Sequence, residues 1–508
     1  MAAIAKRFIL DLTVFVCGAM VMVFEIIGSR ILAPFIGTST YIWTSLIGVI
    51  LAALSLGYWL GGKAADRDPT LTRLASIIFL AGGLISVTIL VKDIVLSFIA
   101  SAPIPLEIRS LLAATLLFAP ASAALGFVTP YAVKLKMASL ANSGKTVGRL
   151  FAFSTIGSII GTFAAGFFLI PFVGSIRTLY IIAGSLLGLS MLLVPFSISK
   201  TGIAALVVFV LGITSNEYIS LYLAESNDLH DLDTEYSRVR VFRTVDTRNG
   251  KAITALAIDP YFTQSAIYLD SDDPVLEYRR FYHVARYFKP EINRALMIGG
   301  AGYTFPREFL RTYPNATIDV VEIDPRMTGI ARRFFRLTDD PRMNIIHQDG
   351  RVFLNEADPE KYDVIFMDAF GSLFSIPFQL TSVEAVRQIS RVLKDDGAAV
   401  FNVGSAVSGP GSSFLQAEFR TYKEVFPDVY LFKVNTSYTD ERLQNLIVVA
   451  TKMTRPKGTA SADTEIAELL THRYTADLPL GLPVLTDDLN AVEYYNSAAQ
   501  NLYIKQQR

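Results

Sequence analysis

The sequence predicts a multi-pass α-helical membrane bundle of about seven spans, joined to an α/β Rossmann-like domain of the doubly wound methyltransferase type. Three observations predict it. Long uncharged stretches recur through about the first two hundred residues, each long enough to cross a bilayer core. From about Asn227 the composition turns charged and polar. The run ALMIGGAGYTFPREFLRTYPNATIDVVEIDP, Ala295–Pro325, then reads as strand, glycine turn, helix and second strand, with an acidic residue at that strand's end. That order builds a nucleoside-binding crevice at the mouth of a parallel sheet.

Composition agrees. At 508 residues the chain exceeds one core, and it divides into a helical bundle (1–225), a small β-rich subdomain (226–290), a Rossmann-like nucleoside-binding catalytic domain (291–456) and a C-terminal segment packing on it (457–508). Hydrophobic residues make up 52% and charged residues 18%, below the roughly 25% charged of soluble domains. The 46 basic residues balance the 46 acidic ones, so nothing favours nucleic acid as a partner, and the bilayer is the expected one. Cys17 is the single cysteine and stands in an apolar run, which excludes an intrachain disulfide and a cysteine zinc site; no metal is expected.

In the first half the uncharged runs are 41–62, 74–91, 110–133, 150–174 and 178–199. They are flanked by 8–29, which carries Asp11 and Glu25, and by the short 201–216. The first is too long for a cleaved signal peptide and no small-residue cleavage pattern follows it. Gly57 and Gly61, like Gly157 and Gly161, are four apart, a spacing that lets helix backbones approach closely. Glu25 is a carboxylate within a span and reads equally as a cation site or as a partner of Arg30 or a backbone amide. Lys6, Arg7, Lys63, Arg67, Arg73, Lys134, Lys136, Lys145, Arg149 and Lys200 fall on one side of a seven-span arrangement, and Arg30, Lys92, Arg109 and Arg177 on the other. The charge bias therefore puts the N-terminus in the cytoplasm and, with an odd number of spans, the C-terminal domain outside. The supply of an adenosyl cofactor argues the reverse. The placement expected is the cell's inner membrane, with the soluble domain cytoplasmic, which requires that 201–216 fail to cross or that the bias mislead.

In the second half, residues 236–269 alternate as strands do, with Asn249-Gly250 as the hairpin turn, and a helix follows at 274–288. Strands are predicted near 294–299, 317–323, 343–347, 362–368, 398–403, 429–434 and 446–452. Helices fill 304–313, 325–336, 350–357, 382–394 and 412–426 between them. Asp324-Pro325 supplies a helix cap followed by proline at the first helical position.

Strand ends in such a sheet face the ligand. Gly299, Gly300 and Gly302 let the backbone turn tightly beside a cofactor, although Phe305 stands where the dinucleotide pattern has its third glycine. Glu322 ends the second strand about twenty residues on, where a carboxylate can accept from both ribose hydroxyls. Asp349 follows the third strand and Asp368 ends the fourth. The alternative for each carboxylate is a helix cap or a surface charge.

Through AIDPYFTQS, MIGGAGYTFPREF, DVVEIDP, IIHQDGRVFL and YDVIFMDAF, the soluble half resembles the spermidine synthase (polyamine aminopropyltransferase) family, and the whole chain resembles its membrane-fused bacterial branch. LGYWLGGKAADRDP also resembles the loop between the second and third helices of major facilitator transporters. The resemblance implies decarboxylated S-adenosylmethionine as co-substrate, a small-molecule amine as acceptor, and a homodimer. It implies that Glu322 holds the ribose and Asp349 the adenine amino group, that Gln264 and Tyr278 line the pocket, and that Asp368 is the acid–base residue. Tyr278 would also pack against an alkylamine.

Three positions depart from the family pattern. Gly302 stands where an aspartate binds the aminopropyl amine, Gly371 where the catalytic loop has a second aspartate, and Tyr278-Arg279-Arg280 where a Tyr-His-Glu run is expected. Asp270, Asp272 and Asp273, or Asp487 and Asp488, are candidate replacements, and read equally as turn and cap residues. The readings are an aminopropyltransferase-like enzyme; an enzyme using S-adenosylmethionine itself, with Arg279 or Arg280 pairing its carboxylate; and a transporter or sensor that binds a nucleoside without turnover.

Overall fold

The computed structural model describes residues 2–37, 39–102, 104–137, 143–194, 206–207, 209–212, 214, 229–258, 262–369, 376–454 and 461–506. The chain forms two compact units, Met1–Ser226 with Asp231–Arg238, and Asn227–His230 with Val239–Arg508.

Among the described residues of the first unit, six helices are long and apolar enough to cross a membrane: Phe8–Ile36, Thr40–Arg67, Leu71–Ser101, Leu106–Lys136, Ser143–Val173 and Ser175–Leu193. The expected seventh segment, 201–216, lies largely outside the described residues. The breaks have local causes. Gly37 and Gly174 adopt positive φ of 91° and 89°, and Thr70 caps the third helix by accepting from the Arg73 amide at 3.3 Å. Gly57 and Gly157 are contact points, since a Cβ at either would run into the carbonyl oxygen of Ala123 or of Phe15. Asp11, within the first helix, is buried between Lys136 and Arg149, the latter at 2.8 Å. Tyr131 and Lys134 bond to the Ala64–Asp68 stretch, so Arg67, Lys134 and, through Asp11 and Lys136, Arg149 belong to one end of the bundle. At the other end the Ser175 amide donates to Asp233 at 2.7 Å and the Arg30 guanidinium donates to the Glu235 carbonyl. Asp233 and Glu235 therefore lie at the end of the bundle away from Asp11, Lys134 and Arg149.

The second unit opens with antiparallel strands Arg238–Val245, Ala252–Ala257 and Ser265–Tyr268. Its first hairpin turns at Asn249-Gly250, where Gly250 takes φ 72°. The helix expected over 274–288 is two short ones, Tyr278–Tyr282 and Ala285–Phe288. Tyr278, Arg279, Phe281 and Tyr282 are all buried, so both faces of this segment pack inward, and i→i−3 bonds such as Val284 N–H to Phe281 C=O tighten its turns.

The large sheet, its strands numbered within it, comprises β1 (Arg294–Ile298), β2 (Thr317–Val321), β3 (Met343–Ile346), β4 (Tyr362–Met367), β5 (Leu393–Ser405), β6 (Asp428–Lys433), β7 (Gln444–Thr451) and β8 (Arg473–Tyr474). Their spatial order is β3-β2-β1-β4-β5-β7-β6-β8. The first five are mutually parallel, whereas β7 pairs antiparallel with β5, β6 antiparallel with β7 and β8 antiparallel with β6. The strands β1 and β4 are largely apolar runs, RALMI and YDVIFM, every residue of β4 being buried, and β5 carries the buried run GAAVF, as a sheet covered on both faces requires. The chain order reverses between β1 and β4, and there the strands separate into a crevice at their C-terminal ends.

Candidate active site

The register Ile298↔Met367 brings the residues that follow β1 and β4, Gly299 and Asp368, together at this switch point. Gly299 takes φ 97°, and a Cβ there would lie 2.6 Å from the Asp368 carbonyl oxygen. Only glycine meets both demands. Ala301 and Tyr303 also adopt left-handed backbone, at φ 43° and 53°, so the whole turn is tightly wound. A cavity of about 140 Å³ lies against it, lined among others by Gln264, Tyr278, Arg279, Gly300, Asp368 and Asn402.

Asp368 is the reactive-looking group of this cavity. Its Oδ2 accepts from the Tyr278 hydroxyl at 3.0 Å. Burial pushes its carboxyl up to about 6, against the opposing pull of Tyr278, Tyr282, Asn402 and the Arg279 guanidinium. Tyr278 is itself buried, and burial together with the Asp368 charge drives its phenol well above the ordinary value, so it stays a neutral donor. The site thus holds a carboxylate poised near working pH and oriented by a phenol.

Gln264 lines the same cavity, its Oε1 accepting from the Ile258 amide at 2.9 Å. Glu322 stands behind the turn. Its Oε2 accepts from the Gly300 and Ala301 amides at 2.8 and 3.0 Å, and its Oε1 from Asp324 N–H at 3.0 Å. Three amides hold it and burial raises its carboxyl. Asp349 caps Gly350–Glu356, its Oδ1 accepting from the Arg351 and Val352 amides at 2.8 and 3.1 Å. Gly302 packs beneath the turn with its amide donating to Ser265 Oγ at 3.0 Å. Glu322, Asp349 and Gly302 do not line the cavity, whereas Gly299, Gly300, Gln264, Tyr278 and Asp368 do.

None of the candidate replacement acids lines the cavity, and two are committed elsewhere. Asp272 pairs with Arg307, Arg311 and Arg336, and Asp487 with Arg351 at 2.7 Å and the Ser382 hydroxyl. Gly371 lies outside the described residues. Two groups that act on Asp368 escaped the sequence reading: Asn402 on β5, which lines the cavity, and Tyr282, which is buried behind it. Tyr282 follows Tyr278 by one helical turn, a spacing that shares a face and was there to be read.

Comparison with known proteins agrees with this construction. Residues 276–457 match the family model described as spermine/spermidine synthase domain. The polyamine aminopropyltransferase of Vibrio vulnificus (strain CMCP6) is 29% identical over 216 residues, 42% of this chain and 69% of the relative. Polyamine aminopropyltransferase 1 of Streptomyces coelicolor is 24% identical over 428 residues, 80% of this chain and 77% of the relative, an alignment longer than residues 227–508. A probable spermidine synthase from Corynebacterium glutamicum ATCC 13032 superposes with a TM-score of 0.39 at 23% identity, covering 46% of this chain and 82% of that one. The C-terminal half is a spermidine synthase domain, its named relatives are transferases, and the N-terminal half adds a set of long apolar helices.

Proposed function

We propose that this chain is a membrane-integral transferase that moves an alkyl group from an adenosyl-sulfonium donor to an amine and releases methylthioadenosine. Asp368 carries the reading: a carboxyl raised to about 6, at the end of β4, hydrogen-bonded to a buried tyrosine and facing the glycine turn that would bear a nucleoside. The named relatives transfer aminopropyl groups, and their similarity supports the same reaction class here.

In this reading the adenosine lies over the Gly299–Ala301 turn. Glu322, with three amides on its oxygens, keeps one acceptor site on Oε1 for a ribose hydroxyl, and Asp349 follows the neighbouring strand β3, on the side where the base would lie. The acceptor nitrogen attacks the methylene carbon beside the sulfonium, and the carbon–sulfur bond breaks with its electron pair passing to sulfur. Asp368 takes the proton that the new ammonium sheds, with Tyr278 holding the carboxylate in line. The acceptor has an adjoining cavity of about 550 Å³, bordered by Asp246, Glu277 and Asn445 and sharing the Tyr278 wall. Two donors fit this description, decarboxylated S-adenosylmethionine and S-adenosylmethionine itself.

The test is product identification by mass spectrometry after incubation of purified protein with each donor, with and without a diamine. Methylthioadenosine formed only when amine is present is the expected result. S-adenosylhomocysteine, the mark of methyl transfer, would overturn the reading.

The six apolar helices would anchor this enzyme in the bilayer. The bundle end holding Arg67, Lys134 and Arg149 is the more basic one, which the positive-inside rule assigns to the cytoplasm. The segment holding Asp233 and Glu235 packs at the opposite end, so by that rule it lies away from the cytoplasm, and this reading assigns the domain that follows it in the chain to that side, the reverse of the placement expected from donor supply. A C-terminal reporter that fluoresces only in the cytoplasm should stay dark; fluorescence would contradict this orientation.

A further inference from the structure

The donors that fit the site differ by one carboxylate, and Arg279 bears on the choice. It follows Tyr278 on the same short helix, is 3% exposed and lines the cavity with Asp368. Its nearest anion is Glu308, whose Oε2 is 3.8 Å from Nη2, beyond hydrogen-bond length. Glu308 gives its other oxygen to His283 at 3.2 Å. Glu308 Oε2 and Arg279 Nε are both buried and make no hydrogen bond. A guanidinium has five donors in a planar fork suited to a carboxylate, and burying it with donors unused is costly. Arg280 is different: it is half-exposed and reaches Glu468 at the surface at 3.5 Å.

Asp368 is the one acid among the described residues that line the cavity, and none can come from the nearby Gly302. Gly302, beneath the turn, has no room for a side chain, since a Cβ would lie 2.7 Å from Ser265 Cβ. A purely cationic donor tail would meet the Arg279 cation with Asp368 as its counter-charge, and Asp368 is the group needed for the proton.

We propose that Arg279 binds the α-carboxylate of intact S-adenosylmethionine, so that the group transferred is 3-amino-3-carboxypropyl. This rests on the adenosyl-sulfonium reading above and specifies its substrate. The amine lone pair forms a bond to the methylene carbon attached to sulfur. The carbon–sulfur pair returns to sulfur, neutral methylthioadenosine leaves, and the ammonium proton passes to Asp368. No oxidant or further reactant is needed. The zwitterionic tail gives Arg279 its missing acceptor and leaves Asp368 free.

The test is equilibrium binding of S-adenosylmethionine, its decarboxylated form and methylthioadenosine to the purified full-length protein, to Arg279→Gln and to Arg279→Lys. Wild type should hold the carboxylated donor about tenfold or more tighter than the decarboxylated one, the scale of a charge-assisted hydrogen bond. Arg279→Gln should erase that preference, Arg279→Lys should keep part of it, and methylthioadenosine should bind all three proteins alike. Equal or tighter binding of the decarboxylated donor by wild type overturns the proposal. So does an Arg279→Gln protein that loses all three ligands together, which marks a structural role. If wild type binds none of the three, the adenosyl reading falls and this proposal with it; equal binding of both donors removes only the proposal.

Discussion

In the helical unit a buried charge is answered completely: Asp11 has Lys136 on one oxygen and Arg149 on the other. At the cavity of the catalytic unit, Arg279 stands 3.8 Å from its nearest carboxylate, and Asp368 is met by phenol and amide groups and by a neighbouring cation that it does not pair. Both arrangements put ions out of water, which is expensive in either place. The first spends its charges on each other and fixes how helices meet. The second leaves reactive capacity over, which is what a site needs if a substrate is to complete it.

Removing the charge at each place should therefore have opposite signatures. Asp368→Asn should lower kcat by about 10²–10⁴-fold, the usual contribution of a positioned proton acceptor, while methylthioadenosine affinity stays near wild type. Steady-state rates beside nucleoside titrations would read this; unchanged kcat would remove Asp368 from the chemistry. Asp11→Asn should cost about 3–5 kcal/mol of stability, because it strands Lys136 in the bundle, and should lower Tm in detergent without changing turnover per folded molecule. A Tm within a degree of wild type would show that the pair is not structural.

The smallest effect is expected at Glu418, which follows neither pattern. It is fully buried and both its oxygens lack hydrogen-bond partners, and burial alone raises its carboxyl far above the ordinary range. The folded state therefore favours the protonated acid. Its contribution to stability is full below the ordinary carboxylate value of about 4 and is lost as pH rises above it. Glu418→Gln should raise Tm by a few degrees at pH 8 and by less at pH 5. A lower Tm at pH 8 would mean that the carboxylate has a function.

Much of this was legible in the chain. The parallel core strands carry short apolar runs in alternation with helices, so their succession along the chain and the acidic residues that follow them could be read directly, as in VIFMDAF. The glycine turn was legible because a tight turn at a strand end leaves few residue choices. What a side chain does at such an end was less so. Glu322 and Asp349 spend oxygens on backbone amides, and Asp272 and Asp487 vanish into ion pairs with arginines distant in sequence. Arg279 and Arg280 are adjacent and chemically alike; burial separates them, and burial depends on the β strands packed against that helix rather than on local pattern. Asn402 sits within a strand and carries no motif, so only the assembled sheet brings it to the cavity.

The pH dependence of kcat/KM tests the central claim most directly. Transfer needs Asp368 ionised, so the rate should climb with an apparent pKa of about 6 and level off above it. Stability should run the other way over that interval: the carboxyl's folded value is raised, so its contribution is full below about pH 4 and lost as pH rises through about 6. The Tyr278 hydroxyl holds that value down, so Tyr278→Phe should move the limb to higher pH. A limb near 6 in wild type that shifts upward in Tyr278→Phe is the result this account predicts; a profile flat from pH 5 to 8, or a limb indifferent to Tyr278, would contradict it.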